Sequence, residues 1–457
     1  MRAQSDFTQG KILAPLMRFT LPILAALVLQ ALYGAVDLLV VGQFAADKAS
    51  GVSAVSTGSQ LMHAVTAIIT GLSMGVTVLI GQAIGRRDER DAGDSIGGGI
   101  VLFLLVGALL TAILVFLARP LALLMNAPQK ALSQTVDYIR ICGAGTLFIV
   151  AYNVLGSVFR GMGDARTPLV AVLIACVANI GLDILFVAGL GMAAAGAALA
   201  TVISQAASVV LSLLVIRRRA LPFPLSRAQV RASRRVFAGI ARLGGPCALQ
   251  DFLVSVSFLV LLTIVNGLGL TFSAGMGVAE KLCMFIMLVP SAYMQAISAF
   301  VAQNIGAGKP RRARRAMVTG MLTSLAVSVF VAYLSYFHGD HLAAIFTSAQ
   351  ETQVIAAAWD YLRAYAIDTL LVSFLFCFIG YFNGCGRTTF VMLQGLAGAF
   401  GVRIPVSWLV SRAQNVSLFE IGLATPCSTL VQILVCALFF AFLVRREAQI
   451  RPADVTL

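Results

Sequence analysis

The sequence predicts an all-α polytopic membrane protein, with twelve transmembrane helices in two six-helix bundles related by pseudo-two-fold symmetry along the membrane normal. Three observations support this prediction. Of the 457 residues, 59% are hydrophobic and only 11% are charged, and the mean hydropathy is +0.93, whereas an ordinary soluble domain has about 25% charged residues. Long apolar runs recur along the chain, and two short motifs appear once in each half. This composition excludes a soluble enzyme, a disordered chain and a small module held together by disulfides.

Apolar runs long enough to cross a bilayer occur twelve times. About 20 helical residues span the ~30 Å hydrocarbon core, and charge clusters or Gly and Pro turns separate runs of this length. Such runs differ from the alternating strands of about ten residues that form a membrane β-barrel. The residues before the first run are too polar for a signal peptide, so the first span is expected to be an uncleaved anchor. The predicted spans 1 to 12 lie near 16–43, 51–83, 96–118, 133–159, 168–190, 195–216, 246–268, 272–304, 316–337, 353–383, 388–411 and 420–444.

The basic residues predict how these spans are oriented. The net charge is +14, from 33 Lys and Arg against 19 Asp and Glu. Of these 33, 25 lie in the termini and in the loops on one side, six lie on the opposite side, and two lie inside spans. Because Lys and Arg are retained on the cytoplasmic side, both termini are expected in the cytoplasm. The positive charge therefore reflects topology, and no nucleic-acid partner is expected.

The two halves of the chain carry related motifs. GQAIGRRDERDA (81–92), at the end of span 2, matches AQNIGAGKPRRA (302–313), at the end of span 8, in five of twelve positions at an offset of 221. FRGMGDARTPL after span 4 corresponds likewise to FNGCGRTTF after span 10. An even number of spans per half makes this a parallel repeat, of the kind that encloses a central cleft in transporters. The predicted domains are an N-lobe (1–219), a basic cytoplasmic linker (220–243) and a C-lobe (244–457), and this architecture suggests alternating access.

Acidic side chains inside the predicted spans are the strongest functional signal. A charged side chain at the bilayer centre costs roughly 2.5–3.5 kcal/mol on insertion scales, so each one is expected to face a partner, a cavity or an ion. Asp251 and Glu280 lie near span ends or beside a lysine, so snorkelling or ion pairing is the favoured interpretation of both. The five acids are Asp37, Asp183, Asp251, Glu280 and Asp368.

Three spans of the first half can bring an all-oxygen set together. In spans 1, 5 and 6 these polar residues stand one helical turn apart and therefore on one face of each helix. Such oxygens suit a hard monovalent cation, and two desolvated carboxylates side by side also suit proton carriage. The alternative is a satisfied buried network with no role in transport, since Asn and Thr often join helices by hydrogen bonds. The set comprises Tyr33, Asp37, Asn179, Asp183, Thr201 and Gln205.

The second half does not repeat this set. At the same offset, Ile404 stands in the place of Asp183 and lies beside Arg403. Arg403 is either a structural counter-ion or a residue that lines the cytoplasmic path. Asp368, near the middle of predicted span 10, is the strongest candidate in this half, as a residue of the substrate cavity.

Motifs for catalysis, cofactors and metals do not support an enzyme. GLSMG (71–75) matches the G-x-S-x-G nucleophile elbow, but it lies inside an apolar helix, where the same residues favour close helix packing. No G-x-x-x-x-G-K-[ST] motif occurs, so ATP is not expected to supply energy within this chain. The eight cysteines occur singly and are interpreted as packing residues. No catalytic residue and no cofactor are therefore predicted, and the coupling ion would be H+ or Na+.

Together these residues resemble the multidrug and toxic compound extrusion (MATE) transporters. The resemblance covers the whole chain and rests on FRGMGDARTPL, on NIGLDILFVAGLGM followed by GAALATVISQ, and on RIP within VRIPVSW. Within the family, the sequence is most similar to the bacterial DinF/MepA-like branch. It departs from the NorM-like branch, because Asp251 and Asp368 do not coincide with the acidic C-lobe positions of that branch.

The resemblance implies a secondary antiporter in the bacterial inner membrane. Such a protein would export small organic, often cationic compounds against inward H+ or Na+, and we expect it to act as a monomer. The resemblance also implies a cation or Na+ site at Asp37, Asn179, Asp183 and Thr201, with Tyr33 beside the cavity. The alternatives are a flippase for a lipid-linked saccharide, which would have a basic cavity, and a membrane receptor or scaffold, which would not need buried carboxylates.

Overall fold

The computed structural model describes residues 7–218, 226–347, 350–414 and 416–450, and in these residues it contains helices, turns and bends with no strand. Parts of the predicted domains lie outside the described residues, namely 1–6 and 219 of the N-lobe, 220–225 of the linker, and 348–349, 415 and 451–457 of the C-lobe. The helices of the first half are α1 (Leu13–Phe44), α2 (Lys48–Arg86), α3 (Glu89–Phe116), α4 (Ala118–Leu124), α5 (Leu132–Ala144), α6 (Thr146–Gly161), α7 (Arg166–Asp183) and α8 (Ala193–Arg218).

The second half begins with a 3₁₀ turn at Arg227–Gln229 and then follows a similar order. Its helices are α9 (Arg234–Asn266), α10 (Leu270–Ile286), α11 (Leu288–Gly306), α12 (Pro310–Phe337), α13 (Gly339–Ala344), α14 (Thr352–Gly384), α15 (Thr388–Gly398), α16 (Ile404–Val410), α17 (Leu418–Gly422) and α18 (Ala424–Ile450).

Eleven helices or helix combinations in the described residues are long and apolar enough to cross a membrane, and a bent pair makes twelve. The prediction of an all-α protein with twelve spans is therefore confirmed. The bent pair is α5 with α6, which meet at 52° where the sequence predicts one span near 133–159. The bend lies at Gly145, where an added Cβ would overlap the side chain of Val202 on α8. A glycine at this point lets α8 approach the backbone closely.

Polar side chains at the helix starts satisfy backbone groups that have no partner within the helix. Asp47 accepts a hydrogen bond from the Ser50 N–H at 3.1 Å, and Asp88 accepts one from the Asp91 N–H at 2.9 Å. Hydrogen bonds from the hydroxyl and the backbone N–H of Ser50 hold the pKa of Asp47 below its usual value. These caps define where α2 and α3 begin.

Two short π-helical segments occur at corresponding places in the two halves. Ile184–Gly189 follows α7 directly after Asp183, and Ala399–Arg403 joins α15 to α16. π-Helical turns are rare and occur frequently at functional sites. Both segments therefore draw attention to the charged residues at their ends, Asp183 and Arg403.

The described chain forms two compact units. The first unit contains Met1–Asp251 together with Ser298–Ala316 and Asn383–Thr388, and the second contains Phe252–Ile297, Met317–Phe382 and Thr389–Leu457. Each unit has its own buried apolar core. These units follow packing, whereas the predicted lobes follow the sequence repeat, so the lobe boundaries stay a prediction.

Candidate functional site

Three neighbouring helices of the first unit present the predicted polar residues in pairs. α1 carries Tyr33 and Asp37, α7 carries Asn179 and Asp183, and α8 carries Thr201 and Gln205, and the members of each pair are four positions apart in the sequence. Because residues four apart lie on one face of a helix, each helix presents both members of its pair to the same side. The three helices pack against one another, which brings the pairs together.

The acidic members of the site are removed from solvent. Asp37 is 5% exposed and Asp183 is fully buried, and Asn179 beside them is 1% exposed. Thr201 and Tyr33 are half-buried. Burial at this level in an apolar segment strongly disfavours an uncompensated negative charge.

Two hydrogen bonds tie α8 to α1. The Thr201 hydroxyl donates to Asp37 Oδ2 at 3.3 Å, and Gln205 Nε2 donates to the Tyr33 hydroxyl at 3.2 Å. Asp37 also lies within interaction range of Asp183 and Asn179. Thr201 therefore supplies a donor to one carboxylate of the pair, and it does not supply one to the other.

Several oxygens at the site accept no hydrogen bond. Neither oxygen of Asp183 has a hydrogen-bond partner, and the same holds for Asp37 Oδ1, Asn179 Oδ1 and Gln205 Oε1. Within the described residues, no Lys or Arg forms an ion pair with Asp37 or Asp183. Two facing carboxylates with free oxygens and no basic partner can be neutralised by a proton or by a small cation.

The oxygen atoms at the site are of the kinds that coordinate a hard cation. Carboxylate, amide and hydroxyl oxygens are the ligands that alkali and alkaline-earth ions prefer. Among the residues that the structure describes, no group of three or more His, Cys, Asp or Glu side chains converges. In the described residues, the site thus consists of two carboxylates with amide and hydroxyl oxygens beside them.

Sequence reasoning missed the polar residues that extend from this site along α6. Gln30 Nε2 donates to the Tyr152 hydroxyl at 2.9 Å, and Arg160 Nη2 donates to Ser157 Oγ at 2.7 Å. Gln30 shares a helix face with Tyr33 and Asp37, since they are three and seven residues apart, and that spacing was the available signal. The α6 partners could not be found in this way, because pairing across helices depends on how each helix is rotated.

Asp368 belongs to the second unit, where it lies near Arg403. Asp368 is 1% and Arg403 is 6% exposed. Arg403 Nη1 donates to Ser257 Oγ at 3.0 Å, and its guanidinium carbon lies 4.2 Å from the centre of the Phe258 ring. Asp368 hydrogen-bonds with Thr429 and interacts electrostatically with Arg403. The acid that the sequence predicts as a cavity residue thus has a basic neighbour inside the same unit.

Comparisons with known proteins agree with this architecture. The MatE family model matches residues 22–185 and again 246–409, once in each half of the chain. The "Probable multidrug resistance protein YpnP" of Bacillus subtilis (strain 168) is 28% identical over 407 residues, which cover 89% of this chain and 90% of that protein. The "Multidrug export protein MepA" of Staphylococcus saprophyticus is 24% identical over 417 residues, with 89% and 88% covered.

Solved structures show the same fold. One is described as the "Outward-facing conformation of a multidrug resistance MATE family transporter of the MOP superfamily"; it superposes with a TM-score of 0.91 at 20% sequence identity and covers 98% of this chain and 99% of that one. The family model therefore matches once in each half of the predicted repeat, and the solved structures share the overall fold.

Proposed function

Since the chain belongs to the MatE family and is similar to its MepA-like bacterial members, we propose that it is a multidrug efflux transporter that exchanges small organic cations for H+ or Na+. It would act as a secondary antiporter of the bacterial inner membrane, as a monomer, with both termini in the cytoplasm. No step of this cycle requires an enzymatic reaction or a cofactor.

The observation that carries the proposal is the pair of buried carboxylates, Asp37 and Asp183, with oxygens that no donor satisfies. An ion or proton arriving from outside would remove their charge and change how α1 packs on α7 and α8. A bound ion shifts a conformational equilibrium only by its difference in affinity between the states. Loading of the ion from outside would therefore favour the inward-open state. Release of the ion into the cytoplasm would return the transporter to the outward-open state.

Each residue of the site has a distinct proposed role. Asp37 and Asp183 carry the charge that the coupling ion neutralises, while Asn179 and Thr201 supply neutral oxygens to the same ion. Tyr33 and Gln205, joined by their hydrogen bond, form a polar wall of the substrate cavity. Asp368 would line the substrate cavity within the second unit.

The test is dye efflux in everted membrane vesicles, with a Na+ gradient and a pH gradient imposed separately. We expect one of the two gradients to drive transport in the unaltered protein. Asp37→Asn and Asp183→Asn should each abolish gradient-driven efflux and leave the amount of folded protein unchanged. Asp137→Asn, on the exposed side of α5, is the matched control and should transport normally.

Two outcomes would contradict the proposal. Efflux at the unaltered rate in both Asn variants would show that the carboxylates do not couple transport. Efflux that neither gradient drives, in membranes that contain folded protein, would exclude an antiporter of H+ or Na+.

A further inference from the structure

The repeated motifs of the two halves meet each other inside the first unit. Gly85, at the end of α2, lies so close to α11 that an added Cβ would overlap the carbonyl oxygen of Gln303. Gly306, at the end of α11, stands in the same way against the carbonyl oxygen of Gln82. Each glycine of the Gln-x-Ile-Gly motif therefore packs on the backbone of the glutamine in the other copy.

The glutamines of the same motifs make a second reciprocal pair of contacts. Gln303 Nε2 donates to the carbonyl oxygen of Gly161 at 2.9 Å, and Gln82 Nε2 donates to that of Gly384 at 3.1 Å. Gly161 and Gly384 are the corresponding glycines of the Phe-x-Gly-x-Gly motifs that end α6 and α14. Each hydrogen bond therefore joins one half of the chain to the other.

The turns after these helices explain the second glycine of each Phe-x-Gly-x-Gly motif. Gly163 and Gly386 have φ of +81° and +74°, which residues with a side chain rarely adopt. This turn ends the helix at a carbonyl that the incoming glutamine can reach. These contacts of Gln82, Gly85, Gln303 and Gly306 and of the Gly161 and Gly384 carbonyls form one symmetric junction. The junction explains both pairs of repeated motifs.

The junction is well suited to open and close. Glycine–backbone contacts interlock no side chains, and two amide hydrogen bonds in a protein are individually weak. Both pairs are related by the repeat, so they break together when the halves separate. Neither Gln82 nor Gln303 belongs to the carboxylate site.

We propose that Gln82, Gly85, Gln303 and Gly306, with the carbonyls of Gly161 and Gly384, form a gate. The gate is closed in this structure, at the end of the molecule that the charge distribution predicts to be cytoplasmic. It must open for substrate to enter from the cytoplasm. This inference rests on the proposed function, because only an alternating-access transporter needs the two halves to separate at this end.

The test is a reversible cross-link across the gate. In a variant without native cysteines, Gly81→Cys and Ala302→Cys are combined, because a Cβ at Gly81 would lie 2.9 Å from that of Ala302. A separation of the two helices by about 1 Å brings this pair to the Cβ–Cβ distance of about 3.5–4.5 Å found in disulfides. Oxidation should reduce dye efflux by at least about tenfold, because a cross-linked gate can no longer populate the open state. A reductant should restore efflux. Unchanged efflux from fully cross-linked protein would overturn the proposal.

A matched pair within the first half controls for cross-linking itself. A Cβ at Gly143 on α5 would lie 2.8 Å from that of Leu114 on α3, so Gly143→Cys with Leu114→Cys gives a bridge of similar geometry. This bridge does not join the two halves, and efflux should persist after oxidation. Loss of efflux in both pairs would show that the effect is not specific to the gate and would count against the proposal.

A second measurement tests the gate without transport. Ala302→Cys, at a position that is fully buried, should be labelled slowly by a membrane-impermeant maleimide added to everted vesicles. Adding Gln82→Ala and Gln303→Ala should accelerate labelling by about tenfold, as expected for the loss of two hydrogen bonds. Unchanged labelling would overturn the gate even if efflux is intact, whereas absent efflux with accelerated labelling would overturn the proposed function and leave the gate supported.

Discussion

A single hydroxyl distinguishes the two carboxylates of the candidate site. Thr201 donates to Asp37 Oδ2 at 3.3 Å, whereas neither oxygen of Asp183 has a partner. Thr201 therefore holds Asp37 in one orientation towards α8. If the proposed coupling ion binds here, Asp183 would depend on it more completely than Asp37, because neither of its oxygens has a hydrogen-bond partner.

Thr201→Val should weaken ion-coupled efflux while the fold is retained. Valine keeps the shape of threonine but loses the hydroxyl. Because hydrogen bonds between membrane helices contribute about 0.6 kcal/mol on average, the ion concentration for half-maximal efflux should rise about threefold. Thr201→Ser, which keeps the hydroxyl, is the matched control. An equal rise in both variants would assign the effect to packing.

Arg403 and Asp368 are buried side chains of opposite charge that interact in the second unit. Arg403 is held by Ser257 and the Phe258 ring, and Asp368 is held by Thr429. Arg403 Nε and Asp368 Oδ1 remain without a hydrogen-bond partner. The two side chains interact electrostatically, so each charge partly compensates the other.

Arg403→Met should destabilise the protein more than Arg403→Met combined with Asp368→Asn. Removing one member of a buried pair leaves an uncompensated charge, at a cost of about 3 kcal/mol or more. Removing both avoids that penalty, so the melting temperature in detergent should recover in the double variant. A double variant that melts no higher than the single one would show that the two charges are independent.

At the residue scale, the sequence was sufficient to predict which polar residues of one helix lie on the same face. The i, i+4 pairs on α1, α7 and α8 could be identified from spacing alone, and the structure brings Thr201 and Gln205 onto Asp37 and Tyr33. Their role in coupling stays a prediction. The contact between Gln30 and Tyr152 could not be predicted, because it depends on the rotation of two helices that are far apart in the sequence.

Among the helices and their connections, the N-terminal segment is held unusually firmly. Phe7 is fully buried and stacks on Phe300, with ring centres 4.8 Å apart. Arg312 donates to the carbonyl oxygens of Phe7, Gly10 and Gln9 at 2.9, 2.6 and 2.7 Å. One arginine at the start of α12 therefore fixes the backbone that leads into α1.

Arg312→Ala should release this segment. Hydrogen bonds from a charged donor contribute about 1.5–3 kcal/mol each, so their loss should accelerate amide exchange in the peptide that contains residues 7–12 and should lower the melting temperature. Arg311→Ala changes the exposed neighbouring arginine and should leave both measurements unchanged. Equal exchange in the two variants would contradict the assigned role of Arg312.

The basic linker is attached to α3 through small residues. An added Cβ at Gly97 would overlap the carbonyl oxygen of Gln229, and one at Gly98 would lie 2.8 Å from Val236 Cγ1. Gln229 Nε2 also reaches the Arg90 carbonyl oxygen at 3.5 Å. The glycines of α3 thus provide the surface on which this part of the linker lies.

Gly97→Ala should detach the linker, and Gly99→Ala should not. The nearest atom to a Cβ at Gly99 is 3.8 Å away, an ordinary contact. Cleavage by a protease follows the population of the open segment, so a loss of 1 kcal/mol in docking would raise trypsin cleavage at Arg231 about fivefold. Equal cleavage in the two alanine variants would show that the linker does not depend on this contact.

Helix positions were largely predictable, whereas breaks within helices were not. Apolar runs mark where a chain crosses a bilayer, since that depends on length and composition. The 52° bend at Gly145 arises from the approach of Val202 on another helix. A glycine inside an apolar run marks either a bend or a close helix contact, so the sequence predicted one span here but not its bend.

The two halves of the whole molecule share their packing motifs but differ in charge. The glycine and glutamine motifs of the gate occur in both halves, and residues 298–316 and 383–388 of the second half join the first unit. Among the described residues, the buried carboxylate pair lies in the first half, whereas in the second half Asp368 interacts with Arg403. This difference is expected if the gate needs symmetry and the ion site does not.

The distribution of basic residues predicts one orientation for the whole chain. Of 33 Lys and Arg residues, 25 lie on the side of the termini and the linker, and six lie on the other. A basic residue near an anionic membrane surface contributes about 1 kcal/mol, so the inverted orientation would be strongly disfavoured. The linker should therefore face the cytoplasm, and the connection between α4 and α5 should face the outside.

Single cysteines in a variant without native cysteines can test this orientation. Ala228→Cys in the linker and Gln129→Cys between α4 and α5 both occupy exposed positions. A membrane-impermeant maleimide should label Gln129→Cys in intact cells and Ala228→Cys in everted vesicles only. The opposite pattern would reverse the orientation, and with it the side from which the ion loads Asp37 and Asp183 and the side on which the gate opens.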